Sequence, residues 1–316
     1  MEEKEEQAVR DVVMIGAGPS ALAAAIYTTR EEIDTVLYEK AVVGGMAAIT
    51  DKVDNYPGFP DGVEGMTLAA QLEAQARRFG AEIAYGEVSE IQDKGDTKVA
   101  IVDGKPVEAK AILIATGSDY NKLGIPGEAE YYGRGVHYCA TCDGAFYRDK
   151  HIAVVGGGNS AVQEAIFLTR FADKIELLVR STVKASEVLQ RELDEWVEKG
   201  KITVHLATTT DEIVTNDGKV NAVKVTHDGK QNDIEIDGVF VFVGLSPNTE
   251  FLASSGIELD EQKLIKTDAK LMTNMSGVFA SGDVRSGATM QIASAVGEGA
   301  SAALSIREYL EDLKRR

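Results

Sequence analysis

The chain repeats one pattern twice: an apolar strand, a glycine-rich loop, a helical stretch and a second strand. In the first copy, the apolar run 11–15 leads into the loop 16–21. In the second copy, the run 151–155 leads into the loop 156–161. Each copy has the order of a βαβ unit, and units of this kind build parallel sheets. The sequence therefore predicts an α/β fold with two Rossmann-like dinucleotide-binding domains.

The order of the motifs along the chain predicts that one domain is inserted into the other. Two further apolar runs, 111–117 and 277–283, include glycine turns and lie on either side of the second βαβ unit. The most economical layout places both runs in the same domain as the first unit. Residues 1–118 and 246–316 are therefore expected to form the outer domain, and residues 119–245 the inserted domain.

The first loop has the G-x-G-x-x-A spacing of a dinucleotide site. Gly16 permits the tight turn, Gly18 lets the backbone approach a pyrophosphate, and Ala21 allows close packing of helix on sheet. Glu39 ends the next strand, where a carboxylate accepts hydrogen bonds from a ribose diol. These residues predict dinucleotide binding in the outer domain.

The second loop keeps the glycines but lacks the acid. Val179 stands where the first unit has Glu39, and Arg180 and Lys184 follow it. The two cations can meet a 2′-phosphate, or they can be ordinary solvated side chains. The loop therefore predicts nucleotide binding, with a retained fold that has lost its ligand as the alternative.

The two cysteines of the chain, Cys139 and Cys142, form a C-x-x-C motif between the two glycine loops. A zinc half-site needs a second pair of ligands, and only His137 of the four histidines is near. Two inert buried thiols are a further alternative. A redox-active pair is favoured, because such pairs exchange readily and Asp143 follows directly to pass a proton to a leaving thiolate.

The acidic composition limits the possible partners. The net charge is −18, which disfavours nucleic acid and anionic membrane surfaces. The sequence contains no apolar run of the length that a membrane helix needs. Residues 1–9 are polar and lack the apolar core of a signal peptide, so they are interpreted as a solvated tail. A cytoplasmic location without a membrane or a metal centre is expected.

In combination, the motifs resemble those of the low-molecular-weight thioredoxin reductases, from Asp11 to the C-terminus. The resemblance rests on the two glycine loops, Gly44 and Gly45, the runs 55–60, 115–117 and 281–283, and the stretch 139–144 around the cysteines. It implies a homodimeric flavoprotein that reduces thioredoxin or a thioredoxin-like protein. In such a protein the outer domain holds FAD and the inserted domain binds NAD(P)H.

The resemblance also implies roles for individual residues. Cys142 would lie nearest the flavin, Cys139 would exchange with the partner, and Asp143 would serve as acid and base. The FAD-binding residues would be Gly16, Gly18, Pro19, Ser20, Glu39, Gly45, Met46, Asn55, Ala115, Thr116, Gly117, Gly282, Asp283, Met290, Gln291 and Ile292. The NAD(P)H-binding residues would be Gly156, Gly158, Asn159, Ser160, Ala161 and Arg180.

The chain departs from the family pattern at three places. The NADPH signature of the family is His-Arg-Arg-x-x-x-Arg, and here only Arg180 remains, with Val179, Ser181 and Ala185 at the other positions. Met46 replaces a glutamine, and Met290 replaces an arginine. The electron donor is therefore the least determined part of the prediction.

The predicted activity is a thioredoxin reductase-like transfer of electrons from a reduced donor through FAD and the cysteine pair to a protein disulfide. NAD(P)H is the expected donor. One alternative is the same chemistry fed by reduced ferredoxin or another non-nicotinamide carrier. A second is a ferredoxin- or flavodoxin-NADP reductase, although those proteins lack the cysteine pair. A third is a non-catalytic redox-sensing module.

Overall fold

The computed structural model describes residues 9–50, 52–53 and 55–315. The chain divides into two compact units, one formed by the residues up to Asp119 with those from Ser246 onward, and the other by Tyr120–Leu245. The two points at which the chain passes from one unit to the other lie within one residue of the boundaries expected from the sequence. Positions 1–8 of the predicted N-terminal tail lie outside the described residues.

The first unit is built around a seven-stranded sheet with helices packed on it. Its strands are β1 (Arg10–Ile15), β2 (Thr35–Glu39), β3 (Lys52–Val53), β4 (Val63–Glu64), β5 (Glu82–Tyr85), β6 (Val88–Asp93), β7 (Lys98–Val102), β8 (Lys105–Ile114), β9 (Ser118–Tyr120), which enters the second unit, and β19 (Val278–Ala280). Its helices are α1 (Pro19–Arg30), α2 (Gly45–Ala48), α3 (Gly65–Arg78) and α7 (Ile292–Arg315), with a 3-10 helix at Glu250–Leu252.

Strand β8 lies at the centre of this sheet. The order is β5-β2-β1-β8-β7-β6, and β19 also pairs with β8. Strands β5, β2, β1, β8 and β19 run parallel, whereas β6 and β7 are antiparallel to their neighbours. The carboxyl ends of β1, β8 and β19 therefore meet at one edge, where ligands of open α/β sheets bind.

Both faces of the first sheet are buried, as expected for parallel strands. Val12 and Met14 of β1 pack with helix residues such as Leu22, while Val13 and Ile15 belong to the core on the opposite face. Complete burial of one such side chain stabilises a fold by about 1.5–3 kcal/mol. The strand is held from both sides, so the loop that follows it starts from a fixed position.

The second unit has a five-stranded parallel sheet and a three-stranded antiparallel sheet. Its strands are β10 (Val136–His137), β11 (His151–Val155), β12 (Lys174–Leu178), β13 (Ile202–His205), β14 (Thr208–Asn216), β15 (Lys219–His227), β16 (Lys230–Glu235), β17 (Gly238–Val241) and β18 (Leu245–Pro247), which leads back to the first unit. Its helices are α4 (Ala140–Asp143), α5 (Asn159–Leu168) and α6 (Glu187–Glu198), with a 3-10 helix at Gly144–Tyr147.

The parallel sheet of this unit has the order β10-β17-β11-β12-β13, and β14, β15 and β16 form the antiparallel sheet. Val154 and Leu177 pack with helix α5 on one face. Ala153 and Leu178 pack with Val223 of β15 on the other face. The parallel strands at the core of the first sheet and the parallel sheet of the second unit confirm the predicted α/β class with two Rossmann-like units.

Two details differ from the sequence prediction. The last helix was expected from about position 288 but begins at Ile292, because Met290 has a φ of +55° and a helix cannot continue through that conformation. Helix α5 ends at Leu168 rather than near Phe171. Among the described residues, no helix is both long enough and apolar enough to cross a membrane.

Candidate functional site

The first glycine loop joins β1 to α1 and is held by backbone contacts. Gly16 has a φ of +99°, and its N–H donates to the carbonyl of Tyr38 at 2.8 Å. A Cβ atom on Gly16 would lie 2.6 Å from the carbonyl oxygen of Ala115. Both its conformation and its surroundings therefore require glycine here.

Gly18 differs from Gly16 because no protein atom lies within 4 Å of the position its Cβ would occupy. It is the N-cap of α1, and Pro19 begins the helix. The free N–H groups of a helix start attract anions. The open space beside Gly18, at the start of α1, therefore fits a pyrophosphate that approaches the backbone.

Glu39 is fixed beside this loop. Its Oε2 atom accepts a hydrogen bond from the N–H of Ala17 at 2.8 Å, and its Oε1 atom accepts one from the N–H of Ala41 at 2.9 Å. The residue is 9% exposed. Each carboxylate oxygen has a second lone pair, so the group can also accept from a diol.

Two cavities, of about 330 and 300 Å³, adjoin the loop and are both lined by Gly16, Glu39, Lys40, Thr116 and Asn248. The second cavity is also lined by most of the predicted FAD-binding residues, namely Gly18, Pro19, Ser20, Gly45, Met46, Ala115, Gly117, Gly282, Asp283, Gln291 and Ile292. The structure therefore brings these predicted residues together around one space in the first unit.

Two predicted residues, Asn55 and Met290, are absent from the cavity lining. The side-chain amide of Asn55 donates to Oε1 of Gln291 at 3.0 Å. The carbonyl of Met290 accepts from Nε2 of Gln291 at 3.0 Å. Both residues therefore hold the side chain of Gln291, which does line the cavity.

Asp283 provides an unsatisfied polar atom in the cavity wall. Its Oδ1 atom is buried and has no hydrogen-bond partner within the described part of the chain. Burial, with a further contribution from the charge of Glu298, raises the pKa of Asp283 to about 6. Buried polar atoms are rarely left unpaired in native proteins. This atom therefore fits a hydroxyl-bearing ligand that the cavity admits.

Glu298 holds the segment that carries Asp283. Its Oε2 atom accepts from the N–H of Gly282 at 2.9 Å and from Nε of Arg285 at 3.0 Å. The hydroxyl of Ser118 donates to the carbonyl of Asp283 at 2.5 Å. Glu298 was not predicted from the sequence, because its helix position carries no motif.

Reciprocal hydrogen bonds join the remaining walls. The hydroxyl of Thr116 donates to the carbonyl of Asn248 at 2.8 Å, and Nδ2 of Asn248 donates to the carbonyl of Thr116 at 3.0 Å. The hydroxyls of Ser20 and Ser281 share a buried hydrogen bond of 2.7 Å. Asn248 and Ser281 were not predicted as site residues, although both follow apolar runs that end in polar turns.

The second glycine loop, between β11 and α5, repeats this design. Gly156 has a φ of +141°, and a Cβ there would overlap the carbonyl of Phe242. At Gly158, the N-cap of α5, a Cβ would meet no atom within 4 Å. Ala161 is fully buried, whereas Asn159 and Ser160 are exposed.

The segment after β12 lies against the second loop. Val179 is 2% exposed, and the N–H of Lys184 donates to the carbonyl of Gly157 at 2.6 Å. Oδ1 of Asn159 accepts from the N–H of Ser186 at 2.8 Å. Arg180 is exposed. Its side chain is therefore accessible from solvent.

The two cysteines form a disulfide in the second unit, with their Cα atoms 5.3 Å apart. Cys139 is the N-cap of α4, and its Sγ atom accepts from the N–H of Cys142 at 3.1 Å. Both residues are half-buried. A disulfide that is partly exposed is accessible to exchange with another thiol.

Asp143 contacts a buried histidine. Its Oδ2 atom lies 3.2 Å from Nδ1 of His137, and Nε2 of His137 lies 2.7 Å from the hydroxyl of Tyr147. In the sequence, His137 was considered only as a third ligand of a zinc half-site with the two cysteines. Within the described ranges, no group of three or more His, Cys, Asp or Glu side chains is arranged to hold a metal ion.

Comparisons with known proteins agree with this geometry. Residues 10–299 match the sequence profile of the pyridine nucleotide-disulphide oxidoreductases. The chain is 43% identical to a thioredoxin reductase of Listeria innocua over 98% of this chain and 96% of the relative. It is 39% identical to a thioredoxin reductase of Bacillus subtilis over 98% and 97% of the two chains.

A solved structure has the same fold. The thioredoxin reductase of Streptococcus pyogenes superposes with a TM-score of 0.92 at 39% identity, covering 97% of this chain and all of that one. The resemblance inferred from the motifs is thus confirmed, together with the disulfide oxidoreductase class. The chain belongs to the pyridine nucleotide-disulphide oxidoreductases, and within them to the low-molecular-weight thioredoxin reductase family.

Proposed function

We propose that the protein is an FAD-dependent thioredoxin reductase that passes electrons from NAD(P)H through Cys139 and Cys142 to a disulfide of thioredoxin or a thioredoxin-like protein. The observation that carries this proposal is the Cys139–Cys142 disulfide in a chain that also has two glycine loops. The open positions beside Gly18 and Gly158 support a dinucleotide in each unit.

The first unit fits FAD, which supplies two-electron transfer between a nicotinamide and a disulfide. Gly18 and Ser20 would hold the pyrophosphate, and Glu39 would accept from the ribose of the adenosine part. The unpaired Oδ1 of Asp283 suits a hydroxyl of the polyol chain. The bonds from Asn55 and Met290 position Gln291 in the same cavity.

The second unit would bind the electron donor. The open position at Gly158 suits the pyrophosphate of NAD(P)H, and Arg180, with Lys184 after it, is available for a 2′-phosphate. A charge-assisted hydrogen bond contributes about 1.5–3 kcal/mol, so one arginine provides only part of the preference that a cluster provides. Weak discrimination between NADPH and NADH is therefore expected.

The cysteine pair would carry the exchange. Two electrons break its disulfide, and the two sulfur atoms become thiols or thiolates. The Cys139 thiolate then attacks the disulfide of the partner, which forms a mixed disulfide and releases one partner thiol. Attack of Cys142 on Cys139 releases the second partner thiol and restores the original bond. Asp143 would donate a proton to a cysteine thiolate and accept it again from the thiol.

Three features belong to the same proposal. A homodimer and a cytoplasmic location follow from the family resemblance, and a reducing compartment suits a disulfide that must cycle. Reduced ferredoxin is the alternative donor. The motivation for that alternative is Val179, because a valine provides neither the acid that binds a diol nor a cation that binds a phosphate.

Anaerobic stopped-flow mixing tests the donor. Bleaching of the flavin by NADPH or NADH at millimolar concentration is expected. If only dithionite or reduced ferredoxin bleaches it, the nicotinamide assignment is wrong.

Steady-state turnover with thioredoxin tests the cysteine roles. Cys139→Ser and Cys142→Ser are expected to lose turnover by at least about 100-fold, since each breaks the exchange sequence. Thr141→Ser, an exposed change between the two cysteines, serves as the matched control and should retain activity. Full activity in both cysteine variants would exclude the disulfide mechanism.

A further inference from the structure

His137 is a buried histidine for which the reaction outlined above has no role. It ends strand β10, two residues before Cys139, and is 4% exposed. A buried histidine needs partners for both ring nitrogens. Here both are supplied by side chains on the segment that follows the cysteines.

The two partners lie on consecutive short elements. Asp143 ends α4 and places Oδ2 at 3.2 Å from Nδ1 of His137. Tyr147 ends the following 3-10 helix and places its hydroxyl at 2.7 Å from Nε2. The three side chains therefore form a chain of hydrogen-bonding groups that runs from the core to the residue beside Cys142.

Aromatic rings pack on the imidazole of His137. Strand β17 contributes Phe240, whose ring centroid is 5.2 Å from that of His137. Burial, followed by the charges of Asp143 and Asp237, raises the pKa of Tyr147. Tyr147 therefore keeps its proton and acts as a neutral donor or acceptor. Asp143 is the ionisable group that faces the imidazole from α4.

We propose that His137 and Tyr147 are positioning residues of the disulfide reaction, which align Asp143 and hold the proton that Asp143 delivers to sulfur. The inference rests on the proposed function, because it assigns the source of the proton in that exchange. Its physical basis is the chain of contacts Tyr147–His137–Asp143, in which only Asp143 adjoins a cysteine in sequence.

The proton balance is as follows. When two electrons break the disulfide, two thiolates are left, and one of them takes up a proton to become a thiol while the other stays ready to attack the partner. The Nδ1 proton of the His137 imidazolium passes to the carboxylate of Asp143, and Asp143 transfers a proton to the thiolate. The imidazole is then neutral. The hydroxyl of Tyr147 can donate or accept, so it stays bonded to Nε2 in either state of the ring.

Re-formation of the Cys139–Cys142 disulfide reverses these steps. Cys142 gives up its proton to Asp143 before it attacks Cys139, and Asp143 passes that proton to Nδ1 of His137. The two sulfur atoms of the partner leave as thiolates and take their protons from solvent. Electrons come from the donor that the established disulfide oxidoreductase activity requires, so no further reductant is needed. The histidine stores one proton for each cycle and leaves the bonds to sulfur unchanged.

A histidine that merely fills the core would have different consequences. Its replacement would alter stability, whereas the pH dependence of the thiols would stay the same. His137→Asn separates the two cases, because its amide can donate to Asp143 at the Nδ1 position but cannot titrate. His137→Phe removes both properties, and Tyr147→Phe removes the partner of Nε2. His227→Gln, on a half-exposed histidine of the same unit, is the matched control.

The test uses the full-length flavoprotein with its disulfide reduced by tris(2-carboxyethyl)phosphine. The rate of iodoacetamide alkylation is measured by mass spectrometry between pH 4.5 and pH 9.5. The wild type and His227→Gln should share one pH profile of alkylation. His137→Asn and His137→Phe should each depart from that profile, because they remove the proton store. Tyr147→Phe should depart from it as well, because Nε2 of His137 loses its partner.

Turnover with thioredoxin provides the second measurement. His137→Phe should lower kcat by at least about ten-fold, with the KM for thioredoxin within about two-fold of the wild type, as expected for loss of proton supply. Alkylation profiles that coincide in all five proteins would overturn the inference. The alkylation measurement needs neither NAD(P)H nor thioredoxin. If the proposed function were wrong, turnover would be absent. The alkylation profiles of the His137 variants would still differ from that of the wild type.

Discussion

Val179 occupies in the second unit the position that Glu39 occupies in the first. The N–H of Gly16 donates to the carbonyl of Tyr38, and the N–H of Gly156 donates to the carbonyl of Leu178. The next residue along the chain is Glu39 in one case and Val179 in the other. The two glycine loops are thus built on the same register, with a glutamate at this position in the first unit and a valine in the second.

The first prediction concerns this position. Val179→Glu should raise the preference for NADH over NADPH, measured as the ratio of kcat/KM values, by at least about ten-fold, because a carboxylate accepts from the ribose diol and repels a 2′-phosphate. Steady-state kinetics with both donors provides the measurement. Val179→Gln is the uncharged control and should change the ratio less. An unchanged ratio of kcat/KM values in Val179→Glu would show that the adenosine ribose of the donor does not lie beside residue 179.

The second prediction concerns flavin binding. Glu39→Gln should weaken FAD binding by about ten-fold or more. The carboxylate of Glu39 accepts hydrogen bonds from the N–H groups of Ala17 and Ala41, and the amide nitrogen of a glutamine would face one of these donors and could not accept from it. The flavin-to-protein absorbance ratio after purification and titration of the flavin-free protein measure this effect. Glu258→Gln, at an exposed position of the same unit, should bind FAD as the wild type does.

Local patterns were enough to predict the repeated loops and the class of the fold. Strand, glycine and helix signals lie within about thirty residues of each other in a βαβ unit, so they can be recognised without any long-range contact. The residues around Gly18 and Glu39 were predicted for this reason. The antiparallel sheet β14-β15-β16 was not predicted, because most residues of β14 and β16 are polar.

Side chains and backbone conformations outside the motifs escaped prediction. Glu298 lies on a helix, and its role is visible only because α7 packs beside the turn that carries Gly282 and Asp283. The partners of His137 are Asp143 and Tyr147, and their approach depends on two short helices whose turns have no sequence signature. The start of α7 was placed too early because a positive φ at Met290, a non-glycine residue, has no signal in the sequence.

The third prediction concerns Asp283 in the flavin-free protein. Burial and Glu298 raise its pKa from 3.8 to about 6. The folded state therefore binds the proton more tightly than the unfolded state, and its free energy of unfolding falls as the pH rises from about 4 to about 6. Asp283→Asn should remove this loss and raise the free energy of unfolding by about 3 kcal/mol at pH 8.

Urea denaturation of the flavin-free wild type and of Asp283→Asn at pH 4 and pH 8 measures the difference. The two proteins should have similar free energies of unfolding at pH 4. An equal gain in the free energy of unfolding at pH 4 and at pH 8 would show that the buried charge of Asp283 does not destabilise the folded state. Asp268→Asn is unsuitable as a control, because Asp268 accepts backbone bonds from Lys270 and Met272. Asp61→Asn, at an exposed loop position, is suitable.

The last prediction concerns Glu176, at the centre of the second unit. Its carboxylate is 4% exposed and bonds Nζ of Lys174, Nε2 of His151 and Nε2 of His205 at 2.6–2.8 Å. Burial opposes ionisation, but these three partners outweigh it and lower the pKa of Glu176 to about 2. The stabilisation is therefore complete above about pH 4.5, the ordinary pKa, and is lost as the pH falls towards 2.

Glu176→Gln should lower the free energy of unfolding by about 2 kcal/mol at pH 7, a value reduced for the partial exposure of the two histidines. Urea denaturation at pH 7 and pH 3 measures the effect, and the gap between variant and wild type should narrow at the lower pH. Glu235→Gln, an exposed change in the same unit, should unfold as the wild type does. A gap of equal size at both pH values would mean that the glutamine disturbs packing, since only a lost ionic interaction depends on pH in this direction.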